Sequence, residues 1–566
     1  VLRDCSRRGG GLAAGLACVV LTACTATTEA QPPVSGGTLH YLSSEPAFSH
    51  LDPQRMYLPE DVAFAAAYLH RTLTAYTSPE EPAAVELAAD LATDTGTARN
   101  HATEWSFTLR EGAVFEDGSP IGCAAVKFGV SRAFDPQFVM QSGMSRAVRM
   151  LDVATVDGVP VYSGPYAADP GDVAAFDRAV SCSADDRTIT FRLAEPAGDF
   201  NHAVSSLAFA PVPVGTPAGD AYDTAPVSSG PYRIETYTPG TGLTLARNEH
   251  WDRDADPLRP AHPDRVEVAL GLEPDVVEAR LLTDEGDDRT AVAAAELDTR
   301  TAERIAADDD LAGRTVGGPA PGVRYLAINT ELVPVLEHRQ AIAAAVDRSA
   351  LHDALGGDPT GTLADSLLTP LLAGNDDPPP SSEPASGDPD RARDLIAAAG
   401  APMPALTFAY EDTPANREVA EVLTTVLRAA GIALEPVPLG PAEYYPAIRD
   451  PASPHALMLG SWAPAWADGS TVVTDLLTPA GGPANLSRYD VAAVTAAAEA
   501  AAAELDPAER AEQWAAIGAR AVADAAVVPI RFDRHQRLVG SLVGGARGWA
   551  PYGSVAHAAL WVRPEE

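Results

Sequence analysis

Trp105-Ser-Phe-Thr-Leu-Arg110-Glu-Gly-Ala-Val-Phe115-Glu-Asp-Gly-Ser-Pro120 is the stretch on which the reading of the fold turns. Its first half alternates. Trp105, Phe107 and Leu109 fall on one face, and Ser106, Thr108 and Arg110 on the other, the period of a half-buried strand. Glu111-Gly112 and Asp117-Gly118 then read as two turns. A helix containing Val126, Lys127 and Phe128 follows.

Outward from this segment, strand and helix signals mix throughout. Ile189, Phe191 and Leu193 alternate in the same way, as do Val266, Val268 and Leu270. Asp506-Pro507-Ala508-Glu509 reads as an N-cap, a first-turn proline and a capping-box glutamate. Trp514, Ile517 and Ala521 then share one helix face, before Val527-Val528-Pro529-Ile530 turns to a buried-strand pattern. Asp388-Pro389 opens another helix and Gly400 closes it. The Pro-, Ser- and acid-rich segment 376–389 reads as an exposed loop. No fixed-period repeat is present. The mixture predicts an α/β fold, and 566 residues exceed what one core holds, so two or more lobes are expected.

The N-terminal residues read as an export signal. Arg3, Arg7 and Arg8 precede an apolar stretch, Leu12 to Leu21, that is too short to span a bilayer. Leu21-Thr22-Ala23-Cys24 resembles a bacterial lipobox, which makes Cys24 the expected lipid attachment site and anchors the protein at the outer face of the cell membrane. Ser6-Arg7-Arg8 leaves Sec and twin-arginine export both open. Of five cysteines, only Cys123 and Cys182 lie beyond this signal. An exported pair is permitted to bridge, and sequence leaves a disulfide and two buried thiols equally open.

The formal charge of −38 argues against nucleic acids and anionic membranes as partners. Lys127 is the single lysine, and with no glycine-rich loop ending in Lys-Ser or Lys-Thr a P-loop is excluded. The twelve histidines never recur at the spacing that holds zinc on one helix face. There is no Gly-x-Ser-x-Gly elbow. A secreted hydrolase therefore has no positive support, and no catalytic residue, metal or cofactor is expected, although a triad built from distant segments stays open.

From about Gly36 onward the chain resembles the family-5 extracytoplasmic solute-binding proteins, the dipeptide-, oligopeptide- and nickel-binding group of ABC importers. The blocks that carry the resemblance run in the family's order. They are Gly36-Gly37-Thr38-Leu39 through Leu51-Asp52-Pro53, the 107–120 segment, Gly230-Pro231-Tyr232 with Arg247-Asn248-Glu249-His250-Trp251, Asn329-Thr330, and Arg339-Gln340-Ala341-Ile342 with Val346-Asp347-Arg348. The resemblance implies a two-lobe periplasmic-binding-protein-like fold with an extra subdomain in the first lobe, closing on its ligand by hinge bending. The expected division is a signal peptide (1–23), a tether (24–35), lobe 1 (36–60, 180–263 and 528–566), an added subdomain (61–179) and lobe 2 (264–527). It also implies a monomeric, non-enzymatic substrate-binding subunit that hands a peptide or peptide-like solute to membrane permease subunits. A receptor presenting a signalling peptide, or a binder of metal chelates or sugars, is the alternative within the fold.

The expected ligand contacts follow the same resemblance. Tyr41, Leu42 and Ser43 align with a loop that touches ligand in relatives. Peptide-binding relatives carry a tryptophan followed three residues later by an aspartate that pairs with the peptide's α-ammonium. Here Trp462 is followed by Ala465, with Trp466 and Asp468 beyond it. A buried ammonium without a counter-charge is strongly disfavoured. A free amine is therefore held by Asp468, held elsewhere, or absent from the ligand. Trp462 and Trp466 offer flat walls or π faces, with core packing as the other reading. Asn329 joins the candidates, though a structural role fits it better, as it does Lys127 and Arg339.

Overall fold

The computed structural model describes residues 32–564 apart from 81–84, 139–144, 168, 298, 373–374 and 376–382. Cys24 with the rest of the export signal, and most of the 376–389 loop, lie outside the described residues.

Three sheets organise the chain. The first has five strands in the order Tyr232–Thr238, Gly242–Arg247, Arg265–Ala269, Thr38–Leu42 and Ala291–Ala293. Thr38–Leu42 pairs in parallel with both of its neighbours, Tyr41 lying opposite Val268 on one side and Val292 on the other. The second sheet has six strands, ordered Gly361–Leu363, Val527–Leu538, Thr315–Ile328, Leu457–Trp462, Leu406–Glu411 and Leu434–Leu439. Both faces of each sheet are covered, and side chains alternate between them. In the second sheet Val323, Tyr325 and Ala327 pack into one cluster, and Leu326 and Ile328 into another.

The third, four-stranded sheet is the 105–120 reading made solid. Phe107 lies opposite Ile189 and Trp105 opposite Phe191 in an antiparallel pair. The inward residues pack against Phe200 and Phe209. Gly112 and Gly118 take φ of 82° and 81°, the left-handed region that turns require and a Cβ disfavours. Cys123, at the start of the helix Cys123–Arg132, is bonded to Cys182 at the end of the strand Val180–Cys182. The question left open by the sequence is answered by their proximity.

The helix Pro507–Ala523 has the N-cap and first-turn proline read from its sequence, with Asp506 accepting from the backbone of Ala508 and Glu509, but the Asp506 N–H donates to Glu504 and not to the expected capping-box Glu509. It buries Trp514, Ile517 and Ala521. Asp388 caps the helix Pro389–Ala398 through Arg391 N–H, and Gly400 follows its end at φ 64°.

The lobe boundaries differ from those expected. Residues 265–269 and 291–293, assigned to lobe 2, are strands of the first sheet beside Thr38–Leu42. The segment 180–192, assigned to lobe 1, belongs to the four-stranded sheet. Alternation identifies a strand but not its partner, and the partner decides the lobe. The passage between the sheets falls on Thr315–Ile328 and Val527–Leu538, which run antiparallel from Thr315 opposite Leu538 to Ala327 opposite Val527. A bridge from Val539 to Val292 ties this pair to the first sheet.

Candidate functional site

Where the two long strands pass between the sheets, a cavity of about 450 Å³ opens. The helix Pro59–Tyr68 presents Glu60 to it, the loop after Ala291–Ala293 presents Glu296, and the long strands present Arg324, Arg531, Asp533 and Arg537. A second cavity of about 320 Å³ carries Tyr41, Ser43, Phe48 and Leu58. Pro59, Glu60, Glu296 and Arg537 line both, so the two form one cleft.

Its floor is a hydrogen-bond network centred on Glu60 and Arg537. Glu60 accepts from the Tyr41 hydroxyl at 3.0 Å, the Ser554 hydroxyl at 3.0 Å and the Arg537 guanidinium at 2.5 Å. Burial raises the Glu60 carboxyl above its ordinary range, against the pull of Arg537. Arg537 also donates to the carbonyls of Ala294 and Gly553 and to His535 Nδ1. That bond needs a neutral imidazole, and burial has pushed the His535 pKa down to about 3. Ser554, His557 and Glu60 superficially compose a hydrolytic triad. Ser554 and His557 are fully buried, however, and the serine donates to the glutamate. With its hydroxyl out of reach of a substrate, this grouping is a structural tie and not a nucleophile.

The expected ligand residues disperse. Tyr41 and Ser43 line the cleft. Leu42 does not, because successive strand residues face opposite ways, and it packs with Val277, Leu281 and Leu538 beneath the sheet. Trp462 lines a different cavity, of about 560 Å³, together with Arg146, Arg149 and Asp475, and its indole N–H donates to Thr471 O at 2.8 Å. Trp466 is core. It is buried in the cluster built on the four-stranded sheet, donates to Asp199 at 2.7 Å, and has the Arg146 guanidinium 5.5 Å from its ring centre. Ala465 is exposed between them.

Asp468 is committed elsewhere. It accepts from Arg510 Nε at 2.9 Å and from Ser470 N–H at 2.9 Å. Burial and then the neighbouring Asp199 push its pKa up to about 6. Asn329 closes a turn by accepting from the backbone of Glu331 and Leu332. Lys127 pairs with Asp177 at 2.7 Å, and Arg339 donates to the carbonyls of Val333, Pro334 and Asp524. Among the described residues the one grouping with metal-ligand geometry, Cys123, Cys182 and Asp186, is spent on the disulfide.

Sequence reasoning missed Glu60, Glu296, Arg531, Asp533 and Arg537. One signal was there to find. Arg531, Asp533, His535 and Arg537 recur at every second position of a strand that begins as an apolar run, which sets ionisable groups along one face of a buried element.

Residues 86–484 match the model of the bacterial extracellular solute-binding proteins, family 5. The chain belongs to this family. Among solved structures, this family-5 protein is similar to the "clavulanic acid biosynthesis oligopeptide binding protein 2", with 30% identity over 94% of this chain and 96% of that one and a TM-score of 0.84. The Escherichia coli murein tripeptide binding protein shares its fold at 18% identity, 94% and 100% coverage and a TM-score of 0.66. So does Haemophilus influenzae OppA, solved with the peptide RPPGFSPFR, at 16% identity, 94% and 100% coverage and a TM-score of 0.66. Comparison with curated protein sequences found no match. The two-lobe α/β architecture expected from the resemblance is thus the observed one, and the protein is the extracytoplasmic substrate-binding subunit of an ABC importer. Among the described residues no helix is long and apolar enough to cross a membrane.

Proposed function

We propose that this family-5 protein captures a peptide or peptide-like solute in the cleft between its two large sheets and delivers it to the permease as a monomer. The observation that carries the reading is the cleft itself, with side chains from both sheets around one charged cavity and Tyr41, Phe48 and Leu58 walling its extension. Such a site suits a ligand that combines charges with apolar groups. The oligopeptide named for the 30%-identical relative and the peptide bound to OppA support the same class.

Closure on a ligand stabilises the native state by RT ln(1 + [L]/Kd), about 2.7 kcal/mol at a hundredfold excess over Kd. A thermal-shift screen of short peptides should yield hits, and small-angle scattering should show compaction with the same hits. Hits that are hydrolysed, or a peptide library that shifts nothing, would count against the reading.

The anchoring proposal rests on the Leu21-Thr22-Ala23-Cys24 lipobox. Wild-type protein should sediment with membranes, and Cys24→Ala should be released or left unprocessed. Equal membrane association of the two would overturn it.

A further inference from the structure

Three observations bear on which groups the ligand presents. At the tryptophan loop Ala465 offers no charge, and Asp468 is consumed by Arg510 and Ser470. In the cavity beside Trp462, Asp199 and Asp475 are already bonded to Trp466, Ser470 and Arg146, and the remaining carboxylate is the exposed Glu195.

The second observation is the charge distribution in the main cavity. In a chain of net charge −38, this cavity presents Arg324, Arg531, Arg534 and Arg537 against Glu60, Glu296 and Asp533. Most of these charges are already paired. Glu60 holds Arg537, and Asp533 is shared by Arg531 at 2.7 Å and Arg324 at 3.3 Å.

The third is what remains. Among the described residues neither the Glu296 carboxylate nor the Arg534 guanidinium has a hydrogen-bond or ion-pair partner, and both residues are exposed and belong to the cavity lining. Glu296 stands at the junction of the two cavities, on the loop whose Ala294 carbonyl is clamped by Arg537 at 3.0 Å. It is thus a carboxylate on a fixed backbone, not on a free arm. Partial burial also lifts its carboxyl above the ordinary range, with Arg537 opposing and Glu60 adding to the shift. The ionised form is therefore held at a disadvantage that an arriving cation would relieve.

We infer that Glu296 is the counter-charge for a cationic group of the ligand and Arg534 for an anionic one, so that the cleft selects zwitterionic solutes such as peptides with free termini. This deepens the peptide reading and rests on it. The amine is held from the first sheet's side of the cleft.

The test is native mass spectrometry of the whole chain with a pool of random tripeptides, the same pool N-acetylated, and the same pool C-amidated. Each is run on wild type, Glu296→Gln and Arg534→Gln. A charge-assisted hydrogen bond sets the expected scale at about tenfold or more. Wild type should retain the free pool over the acetylated one by that factor, and Glu296→Gln should abolish this preference. Arg534→Gln should abolish the preference over the amidated pool. Both positions are exposed, so unliganded melting temperatures should not change, which separates a lost contact from a damaged fold. If peptides are retained but the preference for free amines is missing in wild type, or survives in Glu296→Gln, the inference falls and the peptide reading stands. If no pool is retained by any variant, both fall.

Discussion

Asp90→Ala should lower the unfolding free energy by about 3–5 kcal/mol, the loss that follows when one partner of a buried ion pair is removed. Asp90 is inaccessible to solvent and accepts from two guanidiniums, Arg71 Nε at 2.8 Å and Arg259 at 2.9 Å. Asp256 completes the group, 3.1 Å from Arg259 and 3.5 Å from Arg71. Burial alone would raise the Asp90 carboxyl, but Arg259 and Arg71 outweigh it and hold the pKa below its ordinary value. Without Asp90 two buried guanidiniums share one carboxylate. Asp90→Asn keeps the volume and so isolates the charge. Urea midpoints of the three proteins measure the effect, and a loss below about 1 kcal/mol in both variants would show the network to be dispensable. Its position amplifies the consequence. Arg71 follows the helix that carries Glu60, and Arg259 precedes the strand beside Thr38–Leu42, so the network braces the first-sheet side of the cleft.

Opening the Cys123–Cys182 bridge should destabilise the protein by about 4 kcal/mol, which chain entropy assigns to a crosslink across a sequence separation of 59. The bridge ties the helix Cys123–Arg132 to the four-stranded sheet. Cys123 is fully buried, so the double variant Cys123→Ala/Cys182→Ala avoids leaving an unpaired thiol in the core. Its urea midpoint, compared with that of oxidised wild type, should fall. Reduced wild type should match the double variant. Coincident curves for all three would mean that the crosslink constrains nothing the fold does not already hold.

The readings that held are local ones. Alternation at 105–109 and 189–193, the Asp506 and Asp388 caps, the turn glycines at 112 and 118 and the helix face of Trp514 are each set by neighbours within a few residues, and each recurs in the structure. The ordered series of family blocks was likewise enough to foresee the two-lobe α/β architecture and the class of protein.

What only the tertiary structure decided involves partners far apart in the chain. Val266 and Val268 announce a strand, but only pairing with Thr38–Leu42 places it in the first sheet. Tyr41 and Leu42 are adjacent and equally apolar in context. Strand geometry sends one to the cleft and the other to the core. Trp466 and Asp468 carry the residue types of a binding site, yet Asp199 and Arg510, brought in from distant segments, bury them in a structural network. Glu296 had no distinguishing mark among so many acids. Its candidacy arises because the fold pairs Glu60 and Asp533 with arginines and leaves Glu296 facing the cavity without one. A local pattern specifies backbone conformation, whereas the availability of a charge depends on every group that folding brings within reach of it.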